Sequence, residues 1–294
     1  MFNTKYQVGL IGFPVKHSWS PILFQRVAEL ENLPLRYHAW QLAPAHLEEF
    51  MGWLRKSSVL GINVTLPFKE RIFSCLDEID PTARLIGAVN VVKKVEQKLY
   101  GYNSDWYGFL MSVKKIGHQP KKVVILGGGG AARAVIFAAT FLGCQKVIVV
   151  GRSQSKLIKL HDDFSALVNL RIMEWGDDVV EDEIAEADLV VNATPLGLPG
   201  VSGLFPLKPT APSQTFSEGQ KLFFDLIYKP EITPFMKIGH ERGAKAINGL
   251  NMLLFQAMMS LEIWTGLKTS EQSWFQAYQE ASERSFKQPT EREE

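Results

Sequence analysis

The sequence predicts an α/β protein of two domains, each a mostly parallel sheet covered by helices. Three observations carry this. Short β-branched runs alternate with amphipathic, helix-length segments almost throughout. A chain of 294 residues is long enough for two cores of ordinary size. The alternation also restarts after the polar tract Gly117–Lys122 (GHQPKK), the best linker candidate, where a new strand runs straight into a cluster of glycines.

In the first series, Tyr6–Gly12 reads as a buried strand. Trp19–Asn32 reads as an amphipathic helix with Ser18 or Ser20 as its N-cap and Pro21 in its first turn. Tyr37–Trp40 and Gly61–Thr65 are further strands, separated by a helix around Pro44–Lys56. Val89–Lys94 and Lys98–Tyr102 form a hairpin about Val95–Gln97, and a helix runs from Asp105 to near Ile116. In the second series, strand Val123–Leu126 enters a glycine turn and a helix to Leu142. Strand Lys146–Val150 and helix Lys156–Phe164 follow, then the buried strands Leu189–Asn192 and Leu222–Asp225. Leu196–Gly219, rich in Gly, Pro, Ser and Thr, is a loop. Gly249–Thr265 and Ser270–Phe286 close the chain as two helices, and the polar tail after Lys287 is expected to be disordered.

Composition excludes several classes. Apolar residues at 46% and charged residues at 21% are ordinary for a soluble globular chain. The 32 basic residues are matched by 31 acidic ones, which leaves no electrostatic case for nucleic acid or an anionic membrane as partner. Cys75 and Cys144 stand far apart, so neither a disulfide framework nor a structural metal site is expected, and a reducing, cytoplasmic setting fits. Neither a signal peptide nor a membrane-spanning helix is expected. No heptad or self-complementary face specifies an assembly, so monomer and homodimer both stay open.

Val123–Ala132, VVILGGGGAA, fits the pattern G-x-G-x-x-G/A with Gly127, Gly129 and Ala132. The first glycine permits a tight turn, and the second lets backbone approach a pyrophosphate. The third position keeps helix and strand close, so the helix N-terminus faces the negative charge. A purely structural glycine turn has the same local sequence, and the strand–turn–helix–strand setting favours the dinucleotide site. An NAD site usually places an acid at the end of the next strand, to accept from the ribose 2′-hydroxyl. Cys144–Lys156 contains none and instead offers Arg152, Ser153, Ser155 and Lys156, which suit a 2′-phosphate, so NADP is the expected cofactor. Asn192–Gly197 (NATPLG), with Thr194, can border the nicotinamide half or simply form a turn.

Outside that domain, polar residues gather at strand ends and loops: Ser18 and Ser20 in KHSWSP, Thr65 and Lys69 in GINVTLPFK, Asn90 in GAVNVV, Asp105 in YNSD. Each alone has an ordinary structural explanation as a cap, a turn former or a surface charge. Together they supply what a small polyhydroxylated carboxylate needs, since an unpaired buried polar group costs about 1–3 kcal/mol.

The ordered motifs HSWSP, GINVTLPFK, GAVN, GYNSDWYGF, GGGGAAR, NATPLG, DLIYKPEITPF and NGLNMLLFQA resemble the shikimate dehydrogenase family over essentially the whole chain. The resemblance implies a substrate domain in residues 1–108, completed by helices in 251–294, and a Rossmann-type NADP domain in 109–250. It implies reversible reduction of 3-dehydroshikimate to shikimate with NADPH, in aromatic amino-acid biosynthesis by way of chorismate. Carried over, Ser18 and Ser20 would hold the substrate carboxylate, with Thr65, Asn90, Asp105, Tyr228 and Gln256 as further substrate ligands. Lys69 and Asp105 would be the catalytic pair. Gly127, Gly128, Gly129, Gly130, Ala131, Arg152, Ser153, Lys156, Thr194, Leu226 and Gly249 would line the cofactor.

Three departures stand out. Ser104 replaces a usual threonine, Gly151-Arg152-Ser153 replaces Asn-Arg-Thr, and Lys156 replaces an arginine. The last two place the expected deviation in the preference for NADP over NAD. A quinate or aminoshikimate dehydrogenase would share nearly all these residues, although Ser18-Trp19-Ser20 favours shikimate over quinate. Folate-dependent methylene dehydrogenases would need a tyrosine–lysine arrangement that is absent from the first domain. A non-catalytic NADP sensor of the same fold predicts erosion of Lys69 or Asp105, and both are present.

Overall fold

The computed structural model describes residues 6–16, 18–207 and 221–287. His17, the 208–219 part of the expected Leu196–Gly219 loop and the tail after Lys287 lie outside the described residues. The chain divides into two compact units, Met1–Ser104 with Gln256–Glu294, and Asp105–Phe255. The first division falls ahead of the GHQPKK tract, because the helix beginning at Asp105 packs with the helix that follows the glycine turn. Gly117 ends that helix in the left-handed region, at φ +70°.

In unit 1, strands β1 (Tyr6–Gly12), β2 (Leu35–Gln41), β3 (Gly61–Val64), β4 (Glu78–Ile79), β5 (Val91–Val95) and β6 (Lys98–Tyr102) form one sheet in the order β2-β1-β3-β5-β6-β4. β1 pairs in parallel with β2 and β3, and β4 with β6, while β5 is antiparallel to both β3 and β6. Helices α1 (Ser20–Leu30), α2 (Leu47–Lys56) and α3 (Pro81–Ile86) join them. The helix expected at Trp19–Asn32 is α1, but neither serine caps it. Trp19 occupies the N-cap without a side-chain bond, and the Ser18 hydroxyl instead accepts from the Ser20 N–H at 3.3 Å. Asp80, by contrast, caps α3 by accepting from Thr82 and Ala83.

The closing helix α10 (Glu271–Lys287) packs on α1, where Arg26 pairs with Glu280. The second half of α9 (Leu250–Thr265) also belongs to unit 1, with Trp264 Nε1 donating to Val92 O at 2.9 Å. One core of the unit is Ile11, Met51, Leu54, Ile62, Val64 and Phe68 with their neighbours.

Unit 2 contains α4 (Asp105–Lys115) and strands β7 (Lys122–Leu126), β8 (Lys146–Gly151), β9 (Leu170–Glu174), β10 (Leu189–Asn192), β11 (Leu222–Asp225) and β12 (Lys245–Ile247). Their order is β12-β11-β10-β7-β8-β9, and every pair is parallel. Helices α5 (Gly130–Phe141), α6 (Gln154–Phe164), α7 (Val180–Glu186) and α8 (Pro234–Glu241) connect them. This is the doubly wound arrangement, and its strand order reverses between β7 and β10, where such sheets bind ligands at their carboxyl ends. The four central strands are buried almost throughout, which is why they read as continuous apolar runs.

Candidate active site

β3 lies between β1 and β5, and all four of its residues are buried. Alternation sends Ile62 and Val64 into the core and puts Asn63 on the opposite face. The Thr65 N–H donates to Ile11 O at 3.0 Å, which holds the chain to β1 one residue beyond the strand. Phe68, fully buried, donates to Thr65 O at 3.0 Å and closes the turn. Lys69 follows half-buried, its carbonyl accepting from the Val89 N–H at 2.8 Å. The lysine therefore sits on a turn fixed at both ends, rather than on an exposed strap.

Asn90 precedes β5 and is 3% exposed. Its Oδ1 accepts from the Ser104 N–H at 2.7 Å, and its Nδ2 donates to Ser104 Oγ at 3.0 Å. Ser104 Oγ also lies 3.4 Å from Oε1 of Gln256 on α9. Asn90 and Gln256 are thus brought to one hydroxyl from distant parts of the chain. Ser18 and Ser20 stand at the start of α1, half-buried and buried. Asp105, buried at 5% exposure, opens α4 in unit 2, whereas Lys69 belongs to unit 1. Tyr228 is half-buried in the loop after β11.

In unit 2 the Gly127 N–H donates to Val150 O at 2.8 Å. Gly127 holds φ at +111°, and a Cβ there would stand 2.9 Å from Ala193 O, so the turn admits only glycine. Gly129 is the N-cap of α5, with no side-chain bond and open space around its Cβ position, and the first turn carries no acid. Uncapped N–H groups at the positive end of a long helix fit a pyrophosphate. Beyond β8, Arg152, Ser153, Ser155 and Lys156 are all exposed, and the Ser153 and Ser155 hydroxyls lie 3.2 Å apart. No acid stands in the first turn of α6. The residues present therefore fit a dinucleotide bearing a 2′-phosphate.

The NATPLG loop is a side-chain-stapled turn. Asn192 Oδ1 accepts from the Thr194 N–H at 3.0 Å and from its hydroxyl at 2.6 Å, and Thr194 Oγ1 accepts from the Leu196 N–H at 3.1 Å. Asn192 Nδ2 donates to Asp225 Oδ1 at 2.9 Å. Asp225 also accepts from the Thr233 hydroxyl at 2.6 Å and the Ile227 N–H at 3.0 Å. Burial pushes its carboxyl up to about 6 against these bonds. Gly249 is held to the loop after β11, since its N–H donates to Ile227 O at 3.0 Å.

Sequence reasoning did not single out Ser260 and Asp225, and it noted Asn63 only as part of a strand. Ser260 lies one turn beyond Gln256 on α9, and Asp225 ends an apolar strand, LFFD, so a lone polar residue in a buried run was the available signal. Among the described residues no group of three or more His, Cys, Asp or Glu could hold a metal ion, and no helix is long and apolar enough to cross a membrane.

A doubly wound unit with an uncapped glycine turn, in a chain whose other unit carries a buried hydroxyl and amide cluster, has the architecture of a two-domain nucleotide-dependent enzyme. Residues 10–92 match the family described as shikimate dehydrogenase substrate binding domain. The NADP(+) shikimate dehydrogenase of Desulforamulus reducens is 37% identical over 271 residues, 90% of this chain and 91% of that one. A Thermus thermophilus shikimate 5-dehydrogenase in complex with NADP(H) and shikimate superposes with a TM-score of 0.80 at 33% identity, covering 94% of this chain and 99% of the other. The Listeria monocytogenes shikimate 5-dehydrogenase in complex with shikimate and NAD gives a TM-score of 0.83 at 28% identity, covering 94% and 97%. The chain belongs to the shikimate dehydrogenase family.

Proposed function

We propose that this chain is an NADP-dependent shikimate dehydrogenase, reversibly reducing 3-dehydroshikimate to shikimate, with Lys69 and Asp105 as its catalytic residues. The observation that carries the reading is the half-buried Lys69 on its fixed turn beyond β3, in the same unit as the Asn90–Ser104–Gln256 cluster. NADPH supplies the hydride to the substrate ketone. Lys69, as an ammonium, donates to the ketone oxygen while negative charge grows there, and then gives up its proton to make the alcohol. Asp105, buried at the start of α4, is the second catalytic residue. In the oxidising direction Lys69 takes the proton from the alcohol.

Ser18 and Ser20 hold the substrate carboxylate at the start of α1. Thr65, Asn90, Tyr228 and Gln256 supply partners for the remaining oxygens, which is what rejects a less hydroxylated ring. The first turn of α5 receives the pyrophosphate. Arg152, Ser153 and Lys156 receive the 2′-phosphate, while Thr194, Leu226 and Gly249 border the nicotinamide side. The substrate domain takes residues 1–108 with 251–294 and the cofactor domain residues 109–250. Initial rates with shikimate and with quinate, each with NADP and with NAD, test the reading. Shikimate with NADP is expected to give the highest kcat/KM, and a preference for quinate would overturn the substrate assignment.

A further inference from the structure

The Asn90 amide is held in one orientation by a hydrogen-bond network that also reaches the Gln256 amide, through Ser104 Oγ at 3.4 Å from Gln256 Oε1. A backbone N–H can only donate, so the Asn90 end facing the Ser104 N–H at 2.7 Å is the oxygen, and its Nδ2 must face Ser104 Oγ at 3.0 Å. Flipping the amide would set two donors against each other at the Ser104 N–H. On α9, the Ser260 hydroxyl donates its single proton to Gln256 O at 2.8 Å. Ser260 Oγ then accepts from Asn63 Nδ2 at 3.0 Å, and the one Ser104 proton is shared between Ser260 Oγ at 3.1 Å and Gln256 Oε1 at 3.4 Å. Asn63 is oriented in turn by Tyr37, whose hydroxyl donates to Asn63 Oδ1 at 2.9 Å. Ser104 and Ser260 are fully buried. Losing either hydroxyl strands partners that water cannot reach.

We propose that Ser104 and Ser260 are positioning residues: Ser104, held Oγ to Oγ by Ser260, orients the Asn90 amide and meets the Gln256 amide, and the pair thereby sets the affinity for the hydroxylated substrate. This rests on the reading of Asn90 and Gln256 as substrate ligands. Neither serine takes part in proton or hydride transfer, so binding and turnover respond differently to their loss.

The test compares the unaltered chain with Ser104→Ala, Ser260→Ala and Ser104→Thr in steady-state oxidation of shikimate by NADP, alongside thermal denaturation. Each alanine variant is expected to raise the shikimate KM about tenfold, with kcat within about threefold and the NADP KM unchanged. Ser104→Thr keeps the hydroxyl and is expected to restore the shikimate KM to within about threefold. A purely structural role would lower the melting temperature without splitting KM from kcat.

An unchanged shikimate KM in both alanine variants overturns the proposal. So does a fall in kcat at constant KM, which would tie Ser104 to its neighbour Asp105 instead. Should Ser104→Ala not fold, Ser260→Ala carries the test, because it leaves both Ser104–Asn90 bonds in place. Failing both, Ser104→Cys, a weak donor of similar shape, is expected to raise the shikimate KM, and an unchanged value overturns the proposal. If the unaltered chain does not turn over shikimate at all, it is the functional reading that falls.

Discussion

Gly249 lies directly against the Leu226 carbonyl: a Cβ at position 249 would stand 2.2 Å from that oxygen and 2.6 Å from its carbon. The neighbour is backbone, and it cannot rotate away. It is tied at both sides, since the Leu226 N–H donates to Asn192 O at 3.0 Å and Ile227 O accepts from Gly249 at 3.0 Å. Any side chain at 249 must therefore push the post-β11 loop, and with it the wall proposed for the nicotinamide. Gly249→Ala is expected to raise the NADP dissociation constant at least about tenfold, measured by fluorescence titration, because misplaced binding groups lose most of their contribution. An unchanged value would detach this contact from the cofactor.

Lys69→Ala isolates the proposed proton donor. Its backbone is held by Val89 through the Lys69 carbonyl, so removing the side chain leaves the turn in place. A positioned donor contributes about 10²–10⁴ in rate, so kcat is expected to fall by at least about 10², with the shikimate KM changed much less. Near-normal turnover would remove Lys69 from the mechanism.

Arg152→Ala addresses cofactor choice. Arg152 is exposed just past β8, in a segment with cations and hydroxyls but no acid in the following first turn. A guanidinium matches a phosphate in charge and in fork geometry but does little for a ribose hydroxyl. The NADP KM is expected to rise at least about tenfold and the NAD KM less than about twofold, from initial rates with each cofactor. Equal losses for both would refute the phosphate role.

The features legible in sequence were those written in contiguous residues. β1, β10 and β11 have the predicted bounds, because a buried parallel strand is an unbroken apolar run. GINVTLPFK and the glycine turn were legible because strand, breaker and functional group follow within a few positions. Less legible were the sheet edges and short helices of unit 2. β9 (LRIME) mixes buried and exposed residues, and α7 opens on the acids Glu181, Asp182 and Glu183, which read as loop until they pack. The network behind the site was not legible at all. Asn63 and Ser260 are 197 residues apart, and no local pattern announces a bond between them. The α1 N-cap failed for the opposite reason: two serines fitted the local rule, and the backbone placed Trp19 in the position instead.

Asp225 carries a pH signature that its surroundings dictate. It is fully buried at the end of β11, and burial lifts its carboxyl from the ordinary 3.8 to about 6, although Thr233, Ile227 and Asn192 all donate to it. The folded chain thus binds this proton more tightly than the unfolded chain does. The stabilisation from protonation is complete below the unfolded value of 3.8 and is lost as pH rises through about 6. A shift of about two units corresponds to about 3 kcal/mol in total, of which about 2 kcal/mol falls between about pH 4.5 and 7.5. Asp225→Asn keeps the shape without titrating, so its loss of acceptor strength is the same at every pH. The stability of the variant relative to the unaltered chain, from urea denaturation, is therefore expected to improve by about 2 kcal/mol between those two pH values. A relative stability that stays flat with pH would mean that Asp225 remains an ordinary carboxylate despite its burial, and that the loops after β10 and β11 are organised around a permanent charge.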